Sequence, residues 1–159
     1  MIAPKRLHAL LALRALRERQ AQLAWAWQAE VCAEQQRQLR ALALEHRRQL
    51  DDDQARDAAQ AAALLGRNVD RQQVQRYQAG IAEGIELDQY YVRQTTALTD
   101  QHTQAQVYLE ALRQQRAARQ RQCAALRTLG ENADQRARLS LEWQEELAAE
   151  DLSGVRTGE

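Results

Sequence analysis

Leu64-Leu65-Gly66-Arg67-Asn68-Val69-Asp70-Arg71-Gln72-Gln73-Val74-Gln75-Arg76-Tyr77 carries the one convincing helix stop-and-restart signal in the sequence. Gly66 can adopt the left-handed backbone conformation that closes a helix, and Asn68 is the next best residue for such a position. Asp70, with Gln73 three residues on, then reads as an N-cap and capping box opening a second helix. Helix-forming sequence flanks this stretch on both sides. The reading is all-α, with two long helices folded into an antiparallel coiled-coil hairpin. Helix one is expected over about 5–63, the turn over about 64–69 and helix two over about 70–151. These form one unit over 1–152, followed by a disordered tail at 153–159. A second turn site is legible at Gly80-Ile81-Ala82-Glu83-Gly84, because two glycines four apart each weaken a helix by about 1 kcal/mol relative to Ala. The cysteines separate the two cases. A turn at Gly66 sets Cys32 opposite the region near residue 100, whereas a turn at Gly80 would bring it level with Cys123.

The composition supports helices and excludes a thick core. Ala (30), Gln (24), Leu (22) and Arg (21) fill 97 of the 159 positions, while Val and Ile together fill nine and Phe none. Strong helix formers therefore dominate, and the β-branched and aromatic residues that sheets need are scarce. A mean hydropathy of −0.69 fits long solvated helices. Net charge is zero but unevenly spread: +5 over residues 1–50 and −5 over residues 131–159. A zero total argues against bulk affinity for nucleic acid or anionic membrane. The two cysteines are too few for a disulfide framework. No apolar run reaches the ~18 residues of a membrane span, and the start lacks a signal-peptide core, so a cytoplasmic protein is expected.

Helical periodicity organises the rest. Pro4 suits a first helical turn. In helix one, Leu13, Leu16, Leu23, Trp27 and Val31 form a stripe, which Leu39, Leu42, His46 and Leu50 continue after a phase shift between Val31 and Leu39. Helix two keeps stricter heptads from Val74 through Tyr77, Ile81, Gly84, Asp88, Tyr91, Thr95, Leu98, His102, Ala105, Leu109, Leu112, Arg116, Arg119, Cys123 and Leu126 to Gly130, and on to Leu147. With the turn at Gly66, helix one runs out of length opposite about residue 128. The remainder of helix two overhangs the N-terminus, carrying Leu139, Trp143 and Leu147 at fours. An unpaired amphipathic helix with a Trp is a candidate docking surface.

No chemistry-bearing constellation is legible. His8, His46 and His102 are scattered rather than set at ligand spacing. Asp51-Asp52-Asp53 lacks the alternation and central Gly of a calcium loop. There is no phosphate-binding loop and no nucleophile motif. Arg113, Arg116, Arg119 and Arg121 form a basic patch without the zipper and free basic arm of a duplex binder, so no nucleic-acid partner is expected. The expectation is a non-enzyme with no cofactor and no metal.

The opening Leu7-His8-Ala9-Leu10-Leu11-Ala12-Leu13-Arg14-Ala15-Leu16-Arg17-Glu18-Arg19-Gln20-Ala21 resembles the start of the FliJ/YscO proteins of type III secretion. The Gly66 stretch is similar to the fold-back of the YscO branch, and Val74-x-x-Tyr77-Gln78-x-x-Ile81 to the start of the family's second helix. Glu131-Asn132-Ala133-Asp134-Gln135 and Glu142-Trp143-Gln144-Glu145-Glu146 resemble its charged C-terminal end. The resemblance implies an antiparallel two-helix coiled coil like the central stalk of rotary ATPases. It would act as a non-enzymatic monomer in the pore of the hexameric export ATPase and connect that ring to the export gate. Such a protein is cytoplasmic, peripherally associated with the inner-membrane base of the apparatus and not inserted in the membrane. Some members also bind export chaperones. By position, Leu10, Leu13, Arg14, Leu16, Arg17 and Glu18, with Leu139, Trp143 and Leu147 of the overhang, would face the ATPase. Val74, Tyr77 and Ile81 would face the gate. One departure is that Gly80 and Gly84 stand where the flagellar branch tends to have bulky apolar residues. The alternatives are a generic cytoplasmic coiled-coil scaffold, which would pair between chains, and an adaptor that binds export chaperones or their cargo.

Overall fold

The computed structural model describes residues 4–155, and side chains over 5–151. Two helices account for the fold, α1 (Pro4–Leu64) and α2 (Arg71–Val155), packed on each other with no strand among the described residues. Pro4 starts α1, where its missing N–H leaves no intrahelical bond unmade. Beyond it no proline interrupts either helix. The break between them falls where the capping chemistry puts it. Gly66 has φ +77°, the left-handed conformation that an L side chain resists. Asp70 ends the turn: its backbone N–H donates to Gln73 Oε1 at 3.1 Å, and its carbonyl accepts the N–H groups of Gln73 (3.0 Å) and Val74 (3.3 Å). Gly80 and Gly84 lie inside α2, so the second possible turn site is helix.

The contacts divide the chain into two compact units, each an antiparallel pairing of α1 with α2. The turn unit, Ala26–Ala111, contains the fold-back. Along α1 its inner face is Gln28, Cys32, Gln35, Leu39, Leu42, His46, Gln49 and Asp53, an unbroken 4-3 alternation of buried or half-buried residues. The facing stripe of α2 is the expected one, from Tyr77 through Ile81, Gly84, Asp88, Tyr91, Thr95, Leu98, His102 and Ala105 to Leu109. Polar contacts fix the pairing. Gln28 Nε2 donates to the Ala105 carbonyl at 3.2 Å, His46 Nε2 meets Asp88 Oδ1 at 2.6 Å, and Arg56 donates to the Gly80 carbonyl at 3.3 Å. The His46 ring also stacks on Tyr91 at 5.1 Å. Burial and the Glu45 carboxylate hold the Tyr91 hydroxyl above its ordinary pKa.

The terminal unit joins Met1–Trp25 with Leu112–Glu159. Its α1 face is Leu7, Leu11, Arg14, Glu18, Ala21 and Trp25, set against Leu112, Arg116, Arg119, Cys123, Leu126 and Gly130. Cys123 is the most enclosed of the buried hydrophobic residues described, 1% exposed. Burial and a hydrogen bond with Glu18 push its thiol pKa up. Arg116 lies 4.4 Å from the centre of the Trp25 ring, a cation–π contact, and Arg14 donates to Gln122 Oε1 at 2.6 Å. At Gly130 the helices come close: a Cβ there would stand 3.4 Å from Leu11 Cδ1 and 3.7 Å from Leu7 Cδ2. Beyond it every α2 side chain from Glu131 to Asp151 is exposed, which is the expected overhang.

The structure corrects three readings. Leu13, Leu16, Leu23 and Trp27 do not form the inner stripe of α1; they are 43%, 54%, 63% and 75% exposed. Helix α1 carries two stripes on opposite sides, and between residues 13 and 23 the leucines lie on the one that faces out. The inner stripe wins because its strict 3.5-residue repeat runs into Leu39 and Leu42 with no phase shift, which an extended two-stranded contact requires. The break in α1's inner repeat comes instead at Gln49, Asp53 and Asp57, where two four-residue steps follow each other. Finally, α2 extends to Val155, past the expected start of the tail at 153, while 156–159 lie outside the described residues.

Candidate interaction surfaces

Among the described residues no group of three or more His, Cys, Asp or Glu could hold a metal ion, and no helix is long and apolar enough to cross a membrane. The surfaces, rather than any enclosed site, are where the described side chains can meet a partner.

The terminal unit presents two. On the outer side of α1, Leu10, Leu13, Leu16 and Leu23 are exposed beside Arg17 and Arg19. On the overhang, Leu139, Trp143 and Leu147 are 50%, 67% and 56% exposed. Of the residues expected to meet an ATPase, Leu10, Leu13, Leu16, Arg17, Leu139, Trp143 and Leu147 therefore face solvent. Arg14 and Glu18 are half-buried and belong to the packing between the helices, Arg14 on Gln122 and Glu18 on Cys123.

The electrostatics of this unit are stronger than the zero total suggests. Residues 5–25 and 112–130 carry Lys5, Arg6, Arg14, Arg17, Arg19, Arg113, Arg116, Arg119, Arg121 and Arg127 against the single acid Glu18, a net +9. The overhang, 131–151, carries seven acids against Arg136 and Arg138, a net −5. A basic collar thus continues directly into an acidic helix. Sequence reading saw the arginines of each helix separately, because only the antiparallel pairing adds them together.

The turn unit presents a groove of about 580 Å³ between α1 and α2. Tyr77, Ile81 and Ile85 form part of its apolar lining, and Asp53, Asp57 and Asp88 line it as well. It opens because Ala58, Ala61 and Gly84 are too small to fill the space between the helices. Asp57 Oδ1 and Gln60 Oε1 are buried nearby without a hydrogen bond. Of the residues expected to meet an export gate, Tyr77 and Ile81 lie half-buried in this groove, and Val74 is 40% exposed outside its lining.

Compared with family models, curated proteins and solved structures, the chain finds no match. The fold and its surfaces define a class, an all-helical hairpin with unpartnered apolar stripes at its terminal unit.

Proposed function

We propose that this chain is a non-enzymatic stalk component of a bacterial type III secretion apparatus, seated in the ring of the export ATPase and coupling that ring to the export gate. The observation that carries the reading is the terminal unit: a helix whose side chains are exposed from Glu131 to Asp151, and an outward leucine stripe on α1. The hairpin fold agrees with the FliJ/YscO-like sequence features. Leu10, Leu13, Leu16 and Arg17, with Leu139, Trp143 and Leu147, form the ATPase contact. Tyr77 and Ile81, with Val74 at the start of α2, form the gate contact. The protein works in the cytoplasm against the inner-membrane base, and export chaperones are a further class of partner.

A coiled-coil scaffold or chaperone-binding adaptor is the second reading, favoured by the outward stripe of α1, which keeps coiled-coil spacing. Stimulation of the purified secretion ATPase separates the two. Leu13→Asp and Leu16→Asp are expected to lower stimulation at least several-fold while circular dichroism stays helical, since neither side chain packs between the helices. Full stimulation by both variants would refute the contact assignment.

A further inference from the structure

We infer that two copies of this chain associate head to tail, the overhang of one lying antiparallel along the outward stripe of α1 of the next. Two unpartnered stripes of equal period and length carry the argument. On α1 the stripe is Ala9, Leu13, Leu16, Gln20 and Leu23; on the overhang it is Ala133, Arg136, Ser140, Trp143 and Leu147. Each is exposed throughout; the α1 stripe steps 4-3-4-3 and the overhang 3-4-3-4, so read antiparallel they share the spacing of a coiled-coil seam over two heptads.

Laid antiparallel, the stripes match position by position. Ala9 meets Leu147 and Leu23 meets Ala133, large against small. Leu13 meets Trp143, and Leu16 meets Ser140. Gln20 meets Arg136, a polar pair, and the polar residue that faces a leucine, Ser140, is small. The same alignment brings Lys5 level with Asp151, and Arg6 beside the acidic end of the overhang. The charges agree with it, a +9 collar against a −5 helix. Parallel alignment would set Glu145 and Glu146 away from that basic end, so charge selects the direction.

The occupant is a second copy because the first cannot reach. Helix α2 is unbroken from Arg71 to Val155, so the overhang continues away from the packed segment. The outward stripe of α1 faces the side opposite α2. A lipid surface would take the leucines of α1, but it has no use for a matching acidic helix on the same chain. Two heptads make a small contact, so the association is weak and concentration-dependent. Because the two faces differ, each added copy leaves one of each free, and growth is open-ended. The inference does not rest on the stalk reading and competes with it for Leu13, Leu16, Trp143 and Leu147, which the next copy or the ATPase would cover, but not both.

Sedimentation velocity of the full chain, from low to several hundred micromolar, tests it. Wild type is expected to pass from monomer to dimer and larger species, and to shift back towards monomer at high salt. Leu13→Glu/Leu16→Glu lacks the seat, and Trp143→Glu/Leu147→Glu lacks the overhang surface. Each remains monomeric and helical by circular dichroism. An equimolar mixture restores one intact contact and gives a dimer that grows no further. The inference is overturned by a wild type that stays monomeric throughout, by either variant assembling as wild type does, or by a mixture that stays monomeric. A monomeric wild type that instead co-sediments with phosphatidylglycerol vesicles would overturn it in favour of a lipid surface.

Discussion

Alanine at each helix-relevant glycine tests where the chain turns. At Gly66 the positive φ strains any L side chain by about 1–2 kcal/mol, partly offset by the smaller entropy of the unfolded chain, so Gly66→Ala should cost about 1 kcal/mol. Gly80 sits in mid-helix with Gln60 Oε1, 3.8 Å away, as the nearest atom to an added Cβ. Nothing has to move, and Gly80→Ala should gain the full helix-propensity difference of about 1 kcal/mol. Gly130→Ala should gain as much, because the new methyl meets Leu11 and Leu7 at ordinary contact distance. At Gly84 the Asp53 carboxylate is 3.2 Å from the Cβ position and must shift, which cancels part of the gain. For a chain of this length each kcal/mol moves the thermal midpoint by about 2–4 °C. Urea titrations followed by circular dichroism give the four values, and Gly130→Ala should act on the terminal unit while the others act on the turn unit. A destabilising Gly80→Ala beside a neutral Gly66→Ala would refute the reasoning, because that pattern belongs to a turn at Gly80.

Two further outcomes follow from the packing. Leu112→Ala, at an inner position 8% exposed, should cost about 2–4 kcal/mol, whereas Leu16→Ala on the outer stripe should stay within about 0.5 kcal/mol by the same urea titration. Tyr91 contributes a pH dependence. Its folded pKa is raised, so its hydroxyl contribution is intact below the unfolded value of about 10 and is lost as pH climbs above it. Wild type should therefore lose more stability than Tyr91→Phe between pH 9 and pH 11; equal losses would exclude the tyrosine as the source.

The turn and the α2 stripe were legible because both are local. Gly66 acts through its own backbone, Asp70 and Gln73 through hydrogen bonds three residues apart, and the α2 heptads continue for many turns whatever lies opposite. Helix α1 was misread for a physical reason. Leucine density marks a face that wants covering, not which partner covers it. Leu13, Leu16 and Leu23 outweigh Arg14, Glu18 and Ala21 on any hydropathy scale, yet the second group lies against Leu112 to Gly130. Arg14 and Glu18 can lie inside because Gln122 and Cys123 hydrogen-bond them, and no single-helix pattern reveals such partners. The groove beside Tyr77 and Ile81 was equally hidden, because it arises from small residues on two helices at one level.

The two free cysteines fall one to each unit, Cys32 in the turn unit and Cys123 in the terminal unit, both buried. Each thiol is thus a natural clock for the opening of its own half. A thiol reagent can reach Cys123 only when α1 and α2 part there, so its labelling rate reads the opening free energy of that half, and Cys32 reads the other. A partner that grips the terminal unit would slow one clock and leave the other running. Unmutated chain, with no attached dye, can therefore report which end a ligand has taken.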